Sequence, residues 1–297
     1  MSSPSATNPS AADETLRAQI FQRLHPRVYL ERFIAEKIRP DGRTFDEWRN
    51  VSVNVGTRFT QLLRCSRHDA LAAGSISTAD GSALVRMGDT TIVCGVKAEI
   101  AEPELDRPDQ GFLVPNIDLP VICSPKFKPG PPTEEAQVLS DRLNEALIAS
   151  GALPLSSLCI HPGKAVWTLY VDCTCINYDG NAFDAALLAM LGALRNTTLP
   201  KATYNEETGR TMCSRKTRSP LQLTRNFASA SFGVLDTSHV LSDPTAFEEP
   251  LMDVTLTVVV DDRGELISTT ESGGAISEET LLWCISRAKE RALQLKD

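Results

Sequence analysis

Two aspartates near the end of the chain, Asp243 and Asp253, have the side chain needed for acid–base or metal chemistry. A positioned carboxyl group can protonate a leaving oxygen, or it can hold a metal ion. Asp243 precedes Pro244, which is typical of a turn, and Asp253 opens an alternating apolar segment, which is typical of a strand edge. An acid performs no catalysis without a site for the other reactant, so a structural role is the favoured interpretation of both.

Basic residues concentrate in two stretches that could contact a polyanion. Lys126 and Lys128 lie in the proline-stiffened connector PKFKPGPP. The second stretch contributes Arg210, Arg215, Lys216, Arg218 and Arg225. Charge runs are more often solvated loops, and the formal net charge of -8 argues against a chain that binds nucleic acid by itself. Any such contact is expected to be local, or shared with another chain.

The cysteines and histidines do not predict a metal site or a nucleophilic enzyme. Eight cysteines fall mostly within apolar runs, and none forms a CxxC pair with zinc-like spacing, so we interpret them as reduced core residues. No GxSxG turn accompanies the four histidines, which we interpret as loop or cap residues: His25, His68, His161 and His239. The sequence predicts no metal and no cofactor.

The bulk composition predicts one soluble globular domain. The chain has 297 residues, of which 42% are apolar and 23% are charged. No apolar run approaches the ~18 residues of a membrane span, and the N-terminus lacks the apolar core of a signal peptide, which predicts an intracellular protein without membrane contact. Residues 1–25 are predicted as a disordered extension and residues 26–297 as one domain, with an insertion at 57–73.

A β-hairpin is predicted in the first half of this domain. Residues 82–87 and 90–100 alternate and are rich in β-branched side chains, and they meet at Gly88-Asp89, a pair that suits tight primed turns. The second arm has apolar residues on both faces, as expected for a central strand that helices cover. The hairpin is therefore expected in the middle of a sheet.

Helices and further strands complete the predicted architecture. Thr133 is a suitable N-cap for an amphipathic helix that ends near Ser150, and residues 165–177 alternate as a long strand. The segment after Asn181 is apolar nearly all round, so it is expected to form a helix buried between layers. Strands are then predicted at 227–235, 239–241, 253–260 and 265–270, before a last helix that Ser277 caps. This order predicts an α+β domain with two similar halves.

Seven motifs in a compatible order carry a resemblance to the RNase PH family. They are RPDGR (39–43), GSISTADGSALVRMGDTTIVCGVKAEI (74–100), VPNIDLP (114–120), PGPPTEEAQ (129–137), LCIHPGKAVWTLYVDC (158–173), NYDGNAFDAA (177–186) and SDPTAFEE (242–249). Within the family, the chain is most similar to ring subunits of the eukaryotic RNA exosome, in a fungal version. The insertion at 57–73 is its departure from the family core.

The resemblance implies an RNase PH fold, which is α+β, similar to domain 2 of ribosomal protein S5 and repeated twice. It implies assembly into a six-membered ring around a channel for single-stranded RNA. The implied partners are the other RNase PH-like exosome ring subunits, the S1/KH cap subunits and RNA. The implied locations are the nucleus, the nucleolus and the cytoplasm, with a role in 3′-to-5′ processing and decay of ribosomal and messenger RNA.

Active members of the family degrade RNA by phosphorolysis, and this chain departs from them where phosphate would bind. Phosphate needs arginine side chains and a helix N-terminus that donates N–H groups. Active members have Gly-Thr-Arg where this chain has Asn181, Ala182 and Phe183, and a second arginine where it has Thr133 and two glutamates. No local spacing is seen to supply another arginine. The resemblance thus implies a lost phosphate site near Thr133, Asn181 and Phe183, with Asp243 and Asp253 as relics of the acid.

Three hypotheses follow. The favoured one is a non-catalytic structural ring subunit that assembles with related chains and lends walls and positive charge to the RNA channel, with the seven basic residues named above as candidate RNA contacts. The alternative is a phosphorolytic 3′-to-5′ exoribonuclease whose site is completed by arginines of a neighbouring subunit. The third is a free-standing RNA-binding module, which the net charge disfavours. Arg39 and Arg43 are expected to brace the turn at Asp41.

Overall fold

The computed structural model describes residues 11–55, 76–236 and 238–296. The insertion predicted at 57–73 lies outside these residues. Helix α1 spans Ala11–Leu24, so this part of the N-terminal extension has regular structure where disorder was predicted. The segment contains many good helix formers, among them alanine, leucine, glutamine and arginine, which explains the difference. Helix α2 spans Pro26–Ala35 and has proline at its first position, where a helix needs no backbone N–H donor.

Six strands form the first sheet, in the order β1-β2-β3-β6-β4, with β5 paired to the start of β6. Their bounds are Val51–Val55 (β1), Gly81–Met87 (β2), Thr90–Ala101 (β3), Phe112–Asp118 (β4), Cys159–His161 (β5) and Ala165–Asn177 (β6). Strands β2 and β3 form the predicted hairpin, and Gly88 in its turn has φ +56°. Because β3 also pairs with β6, the hairpin lies inside the sheet, as predicted.

Strands β7 (Thr198–Asn205) and β8 (Arg210–Pro220) form a separate two-stranded hairpin. A solvated loop was expected in this basic stretch, and that expectation is wrong. The Asn205 side chain stabilises the turn, because its Oδ1 accepts hydrogen bonds from the N–H groups of Glu207 and Thr208 at 2.9 and 3.1 Å. A strand with many charged residues lacks the apolar alternation by which strands are predicted.

Four antiparallel strands form the second sheet, in the order β10-β9-β11-β12. Their bounds are Phe227–Leu235 (β9), His239–Ser242 (β10), Val254–Asp261 (β11) and Leu266–Gly273 (β12). They agree closely with the strands predicted between residues 227 and 270. Helix α5, Glu278–Lys296, packs its buried face on β9 and β11.

Helices α3 (Glu134–Ser150) and α4 (Ala182–Asn196) position the candidate site. The Thr133 hydroxyl accepts a hydrogen bond from the N–H of Ala136 at 3.3 Å, so Thr133 is the N-cap of α3, as predicted. Helix α4 is buried along most of its length because it packs on β2 and β3 of the first sheet and on β9 of the second. The two halves therefore share one buried helix, which confirms the predicted α+β architecture. Over the described residues, no helix combines the length and apolar character that crossing a membrane requires.

Candidate functional site

A cavity of about 480 Å³ lies where α3 and α4 begin, facing strands β9 and β11. Its polar and aromatic lining comes from both helices, both strands, the end of β6 and the loop after β10: Glu134, Glu135, Arg142, Tyr178, Asn181, Phe183, Ser231, Glu249 and Thr257. The structure thus gathers at one cavity the two helix starts to which the sequence assigned a lost phosphate site. The loss of a phosphate site at this cavity stays a prediction.

Arg142 brings one positive charge to this cavity. Its guanidinium lies 4.8 Å from the centre of the Phe183 ring, and its Nη2 donates a hydrogen bond to the Thr257 hydroxyl at 2.8 Å. Burial lowers the pKa of Arg142, and its buried Nε has no hydrogen-bond partner among the described residues. No arginine was predicted for this cavity from the sequence, and that prediction is wrong. Glu134, Val138 and Arg142 follow each other at four-residue spacing, so one helix face carries all three to the cavity.

Beside Glu134 and Glu135, the cavity contains a third carboxyl group, Glu249, which was not predicted from the sequence. Its Oε1 accepts a hydrogen bond from the backbone N–H of Asn181 at 2.6 Å, and its Oε2 accepts one from the Tyr178 hydroxyl at 2.6 Å. Burial raises the pKa of the Glu249 carboxyl above its usual value. Glu249 lies inside the motif SDPTAFEE, but only the folded loop after β10 brings it to the start of α4.

Asp243 lies behind the cavity wall and is fully buried. Its carboxylate accepts hydrogen bonds from Nε and Nη2 of Arg49 at 2.8 and 2.7 Å, from Nη1 of Arg43 at 3.2 Å and from Nδ2 of Asn181 at 2.8 Å. Burial is the largest single effect and opposes the charged form, but the hydrogen bonds and charge of Arg49, the Asn181 hydrogen bond and the Arg43 charge together outweigh it and hold the pKa of Asp243 below its usual value. Both carboxylate oxygens are engaged, so Asp243 acts as a structural anchor in this arrangement.

The other predicted relic, Asp253, is not among the residues that line the cavity. It is partly exposed beside the start of β11 and accepts hydrogen bonds from Arg27 and from the N–H of Asp236. The structure therefore does not bring Asp243 and Asp253 to one site. A different acid, Asp184 in the first turn of α4, lies near Asp243, and it is held by the N–H and hydroxyl of Ser231 at 2.9 and 3.0 Å.

The RPDGR motif forms part of the support for Asp243. Arg43 donates to the Asp41 carboxylate at 2.6 Å, as predicted. Arg39 was expected to brace the same turn through Asp41, but its side chain is fully buried elsewhere. It pairs with Glu248 and donates to the carbonyl oxygen of Ser242 at 2.6 Å. A buried guanidinium requires several acceptors, and the loop after β10 supplies them.

The candidate RNA contacts differ in how far the described residues already engage them. Lys126 pairs with Glu135 at 2.7 Å, Arg225 lies 3.7 Å from Glu265, and Arg218 pairs with Asp80. Lys128 and Arg210 are exposed and have no ionic partner among the described residues. Arg215 and Lys216 belong to β8, but their side chains lie outside what the structure describes. RNA contact by any of the seven stays a prediction.

The cysteines agree with the core interpretation. The seven described cysteines are free thiols, and four of them line the packed face of the first sheet or lie beside it: Cys94, Cys123, Cys173 and Cys175. Cys213 is the exception, because it is exposed on β8. Within the described part of the chain, no group of three or more histidine, cysteine, aspartate or glutamate side chains could hold a metal ion.

Replacing Gly180 by alanine is expected to lower the free energy of unfolding by about 2–4 kcal/mol. Gly180 has φ +79°, and a Cβ atom there would lie 2.5 Å from the backbone of Thr245 and Ala246. Gly163 is the matched control, since it has φ +71° but open space around a Cβ, so its alanine variant should lose only about 1–2 kcal/mol. Chemical denaturation of both variants measures the difference. Equal losses would show that the close contact between residue 180 and the loop after β10 does not contribute to the loss of stability.

Comparisons with known proteins agree with this fold. Domain 1 of the 3′ exoribonuclease family, RNase PH, matches residues 66–200, and domain 2 matches residues 226–291. The exosome complex component rrp43 of Schizosaccharomyces pombe is 38% identical over 92% of this chain and 94% of its own length. The exosome complex component Rrp42 of Pyrococcus furiosus is 33% identical over 91% of each chain.

Solved structures give the same result. The Archaeoglobus fulgidus exosome with RNA bound to the active site contains a chain that superposes with a TM-score of 0.77 at 30% identity, over 94% of this chain and 98% of the other. An archaeal exosome core superposes with a TM-score of 0.70 at 28% identity. From the two matched domains, the near full-length relatives and the shared fold, we conclude that this chain belongs to the RNase PH family of 3′ exoribonucleases.

Proposed function

We propose that this chain is a structural subunit of an RNA exosome ring that supports 3′-to-5′ RNA processing and decay without performing phosphorolysis itself. One observation carries the proposal: at the start of α4, the cavity presents the Phe183 ring and the Glu249 carboxylate, and the Arg142 guanidinium that reaches it from α3 lies over that ring. A carboxylate opposes the binding of an anion, and a phenyl ring gives phosphate no hydrogen bond. Both relatives are exosome components, and each matches this chain over almost its whole length, which supports the ring assignment.

The partners in this proposal are other RNase PH-like ring subunits, S1/KH cap subunits and RNA. The compartments are the nucleus, including the nucleolus, and the cytoplasm, and the processes are ribosomal RNA maturation and messenger RNA decay. A solved relative has RNA bound to the active site of its exosome, which supports RNA as a ligand of the assembled ring. In this view the chain contributes a wall of the RNA path and positions its neighbours.

The test is an RNA-decay assay on the purified chain, alone and reconstituted with its ring partners, with and without inorganic phosphate. The expected result is that the chain alone leaves RNA intact and that it enters a ring of defined mass without adding phosphate-dependent decay. Phosphate-dependent shortening of RNA by the chain alone would contradict the proposal. A reconstitution that omits this chain controls for decay contributed by the partners.

Arg142 favours a second candidate function, a phosphorolytic exoribonuclease whose site a neighbouring subunit completes. Its charge already faces the cavity, and its buried Nε has no partner among the described residues. Under this alternative, the reconstituted ring would gain phosphate-dependent decay, and Arg142→Met or Glu249→Gln in this chain would remove the gain. Decay that is unchanged by both substitutions excludes the alternative.

Neutralising Lys128 and Arg210 is expected to weaken RNA binding by the assembled ring. Both side chains are exposed and have no ionic partner among the described residues, so of the five candidates whose side chains the structure describes they are the most available to phosphate groups. Each of Lys128→Gln and Arg210→Gln should lower the slope of log affinity against log salt by about 1. Arg218→Gln removes the same charge from a guanidinium that already pairs with Asp80, so it should leave the slope nearly unchanged. Equal slopes for all three variants would contradict the assignment.

A further inference from the structure

The start of α4 is already occupied by an anion, and the anion belongs to the chain itself. Helix N-termini bind oxyanions because their first N–H groups point outward and have no partner within the helix. Here the N–H of Asn181, the N-cap of α4, donates to Oε1 of Glu249 at 2.6 Å. The N–H of Asp184 in the first turn is directed to the Asn181 side chain at 3.4 Å. Two donors that could face an oxyanion are therefore committed within the chain.

The Glu249 carboxylate is held firmly at this position. Its second oxygen accepts the hydrogen bond of the Tyr178 hydroxyl at 2.6 Å. Glu249 also begins a short 3₁₀ helix, Glu249–Leu251, directly after the buried Glu248 that Arg39 anchors. The backbone on both sides of Glu249 is thus fixed, and the side chain cannot swing away without breaking two short hydrogen bonds.

The charged groups around the cavity do not reverse this effect. Two more glutamates, Glu134 and Glu135, line the same opening at the start of α3. Lys126 pairs with Glu135, and the Arg142 guanidinium lies over Phe183 and donates to Thr257, so among its buried nitrogens Arg142 keeps only Nε without a partner among the described residues. An entering phosphate would meet the Glu249 carboxylate at the start of α4, and Glu134 and Glu135 at the start of α3.

We infer that Glu249 is the residue that determines the ligand class of this cavity, by holding the place of an oxyanion at the start of α4 and thereby excluding inorganic phosphate. The inference deepens the proposed non-catalytic function and rests on it. It also separates two explanations for a cavity that does not bind phosphate. Missing arginines alone would make phosphate binding weak, whereas an occupied helix start makes it fail even after an arginine is restored.

The test restores an arginine with and without removing Glu249. Four forms of the full chain are titrated with inorganic phosphate at constant ionic strength and pH 7: the unaltered chain, Phe183→Arg, Glu249→Ala, and the double variant. Calorimetry or ³¹P line broadening reports binding, and circular dichroism with thermal unfolding verifies the fold. In Phe183→Arg alone, the new guanidinium is expected to pair with Glu249. The double variant should bind phosphate at least about tenfold more tightly than Phe183→Arg alone, as expected when one charge-assisted hydrogen bond becomes available.

Glu134→Ala is the matched control. It also removes a carboxylate that lines the cavity, but no hydrogen bond joins Glu134 to the start of α4 among the described residues. If Phe183→Arg with Glu134→Ala gains as much affinity as Phe183→Arg with Glu249→Ala, general charge explains the exclusion and the inference is overturned. Equal phosphate affinity of Phe183→Arg with and without Glu249 also overturns it.

A further variant protects the test against loss of folding. Glu249→Gln removes the charge but keeps the side-chain shape and an acceptor for the Asn181 N–H. In the Phe183→Arg background, its phosphate affinity should lie between that of the form that keeps Glu249 and that of the form with Glu249→Ala, and no gain would count against the inference. These titrations contain no RNA and no partner chain, so their failure leaves the ring proposal standing, and failure of the ring proposal leaves the phosphate result interpretable.

Discussion

Replacing Asp243 by alanine is expected to lower the free energy of unfolding by about 3–5 kcal/mol. The substitution leaves the guanidinium of Arg49 buried with the weaker Asp179 pair as its remaining ionic contact, and it removes one of the two carboxylate partners of Arg43. It also removes one of the two acceptors of the Asn181 side-chain amide at the start of α4 and leaves Asp184 as the other. Urea denaturation followed by circular dichroism measures the loss. Asp253→Ala is the control, because that carboxylate is partly exposed and pairs with an exposed arginine, so its loss should be much smaller.

The same loss should depend on pH in a defined direction. The pKa of Asp243 in the folded chain lies below the usual value of 3.8, so its contribution to stability is fully present above the unfolded value and disappears as pH falls through the folded value. The difference between the unaltered chain and Asp243→Ala should therefore stay constant between pH 7 and 5 and shrink only below about pH 4. A difference that shrinks already between pH 7 and 5 would contradict the assigned role of Asp243 as a charged anchor.

Replacing Glu248 by alanine is the second change with a large expected effect, again about 3–5 kcal/mol of unfolding free energy. Arg39 and Glu248 are 0% and 1% exposed, so the remaining guanidinium would keep its charge in the interior. The Glu248 carboxylate also accepts hydrogen bonds from the N–H and hydroxyl of Thr245 at 2.9 and 3.0 Å, and these are lost as well. Denaturation of the variant measures the loss.

A double variant that removes both charges tests whether the unpaired charge of Arg39 is the cause of the lost stability. Arg39→Met combined with Glu248→Leu removes both charges and should recover a substantial part of the stability that Glu248→Ala loses. Glu290→Ala, which breaks the partly exposed pair with Arg287, should cost only about 0–1 kcal/mol. If the double variant is as unstable as the single one, the hydrogen bonds to Thr245 and the local packing matter more than the buried charge.

Local pattern was sufficient to predict most elements of the fold. The hairpin at Gly88, the N-cap at Thr133 and the buried helix after Asn181 each depend on residues close together in sequence, and each is confirmed. Hairpin β7–β8 was missed because its charged residues give no apolar period. Helix α1 was not predicted. The polar residues at the start of the chain indicate disorder, and that disorder was predicted for all of residues 1–25.

The candidate site was predictable only in part. Phe183 and Thr133 could be assigned because each begins a predicted helix. Arg142 could also have been found, since it shares a helix face with Glu134. Glu249 and the support of Asp243 depend on contacts between residues far apart in the chain, and no local period reports such contacts. For this reason Asp253 was predicted as a relic of the acid, and Glu249 was not identified.

The contact between Arg39 and the loop after β10 has a consequence for synthesis on the ribosome. Arg39 and Glu248 are separated by 209 residues. At ~5–20 residues per second, roughly 10–40 s of translation pass between them. During that interval hairpin β2–β3 can form, but Arg39 lacks Glu248 and Arg49 lacks Asp243 as a partner. The segment around Arg39 therefore stays undocked until the last quarter of the chain emerges, and chaperone capture of ribosome-bound chains should be strongest in that interval.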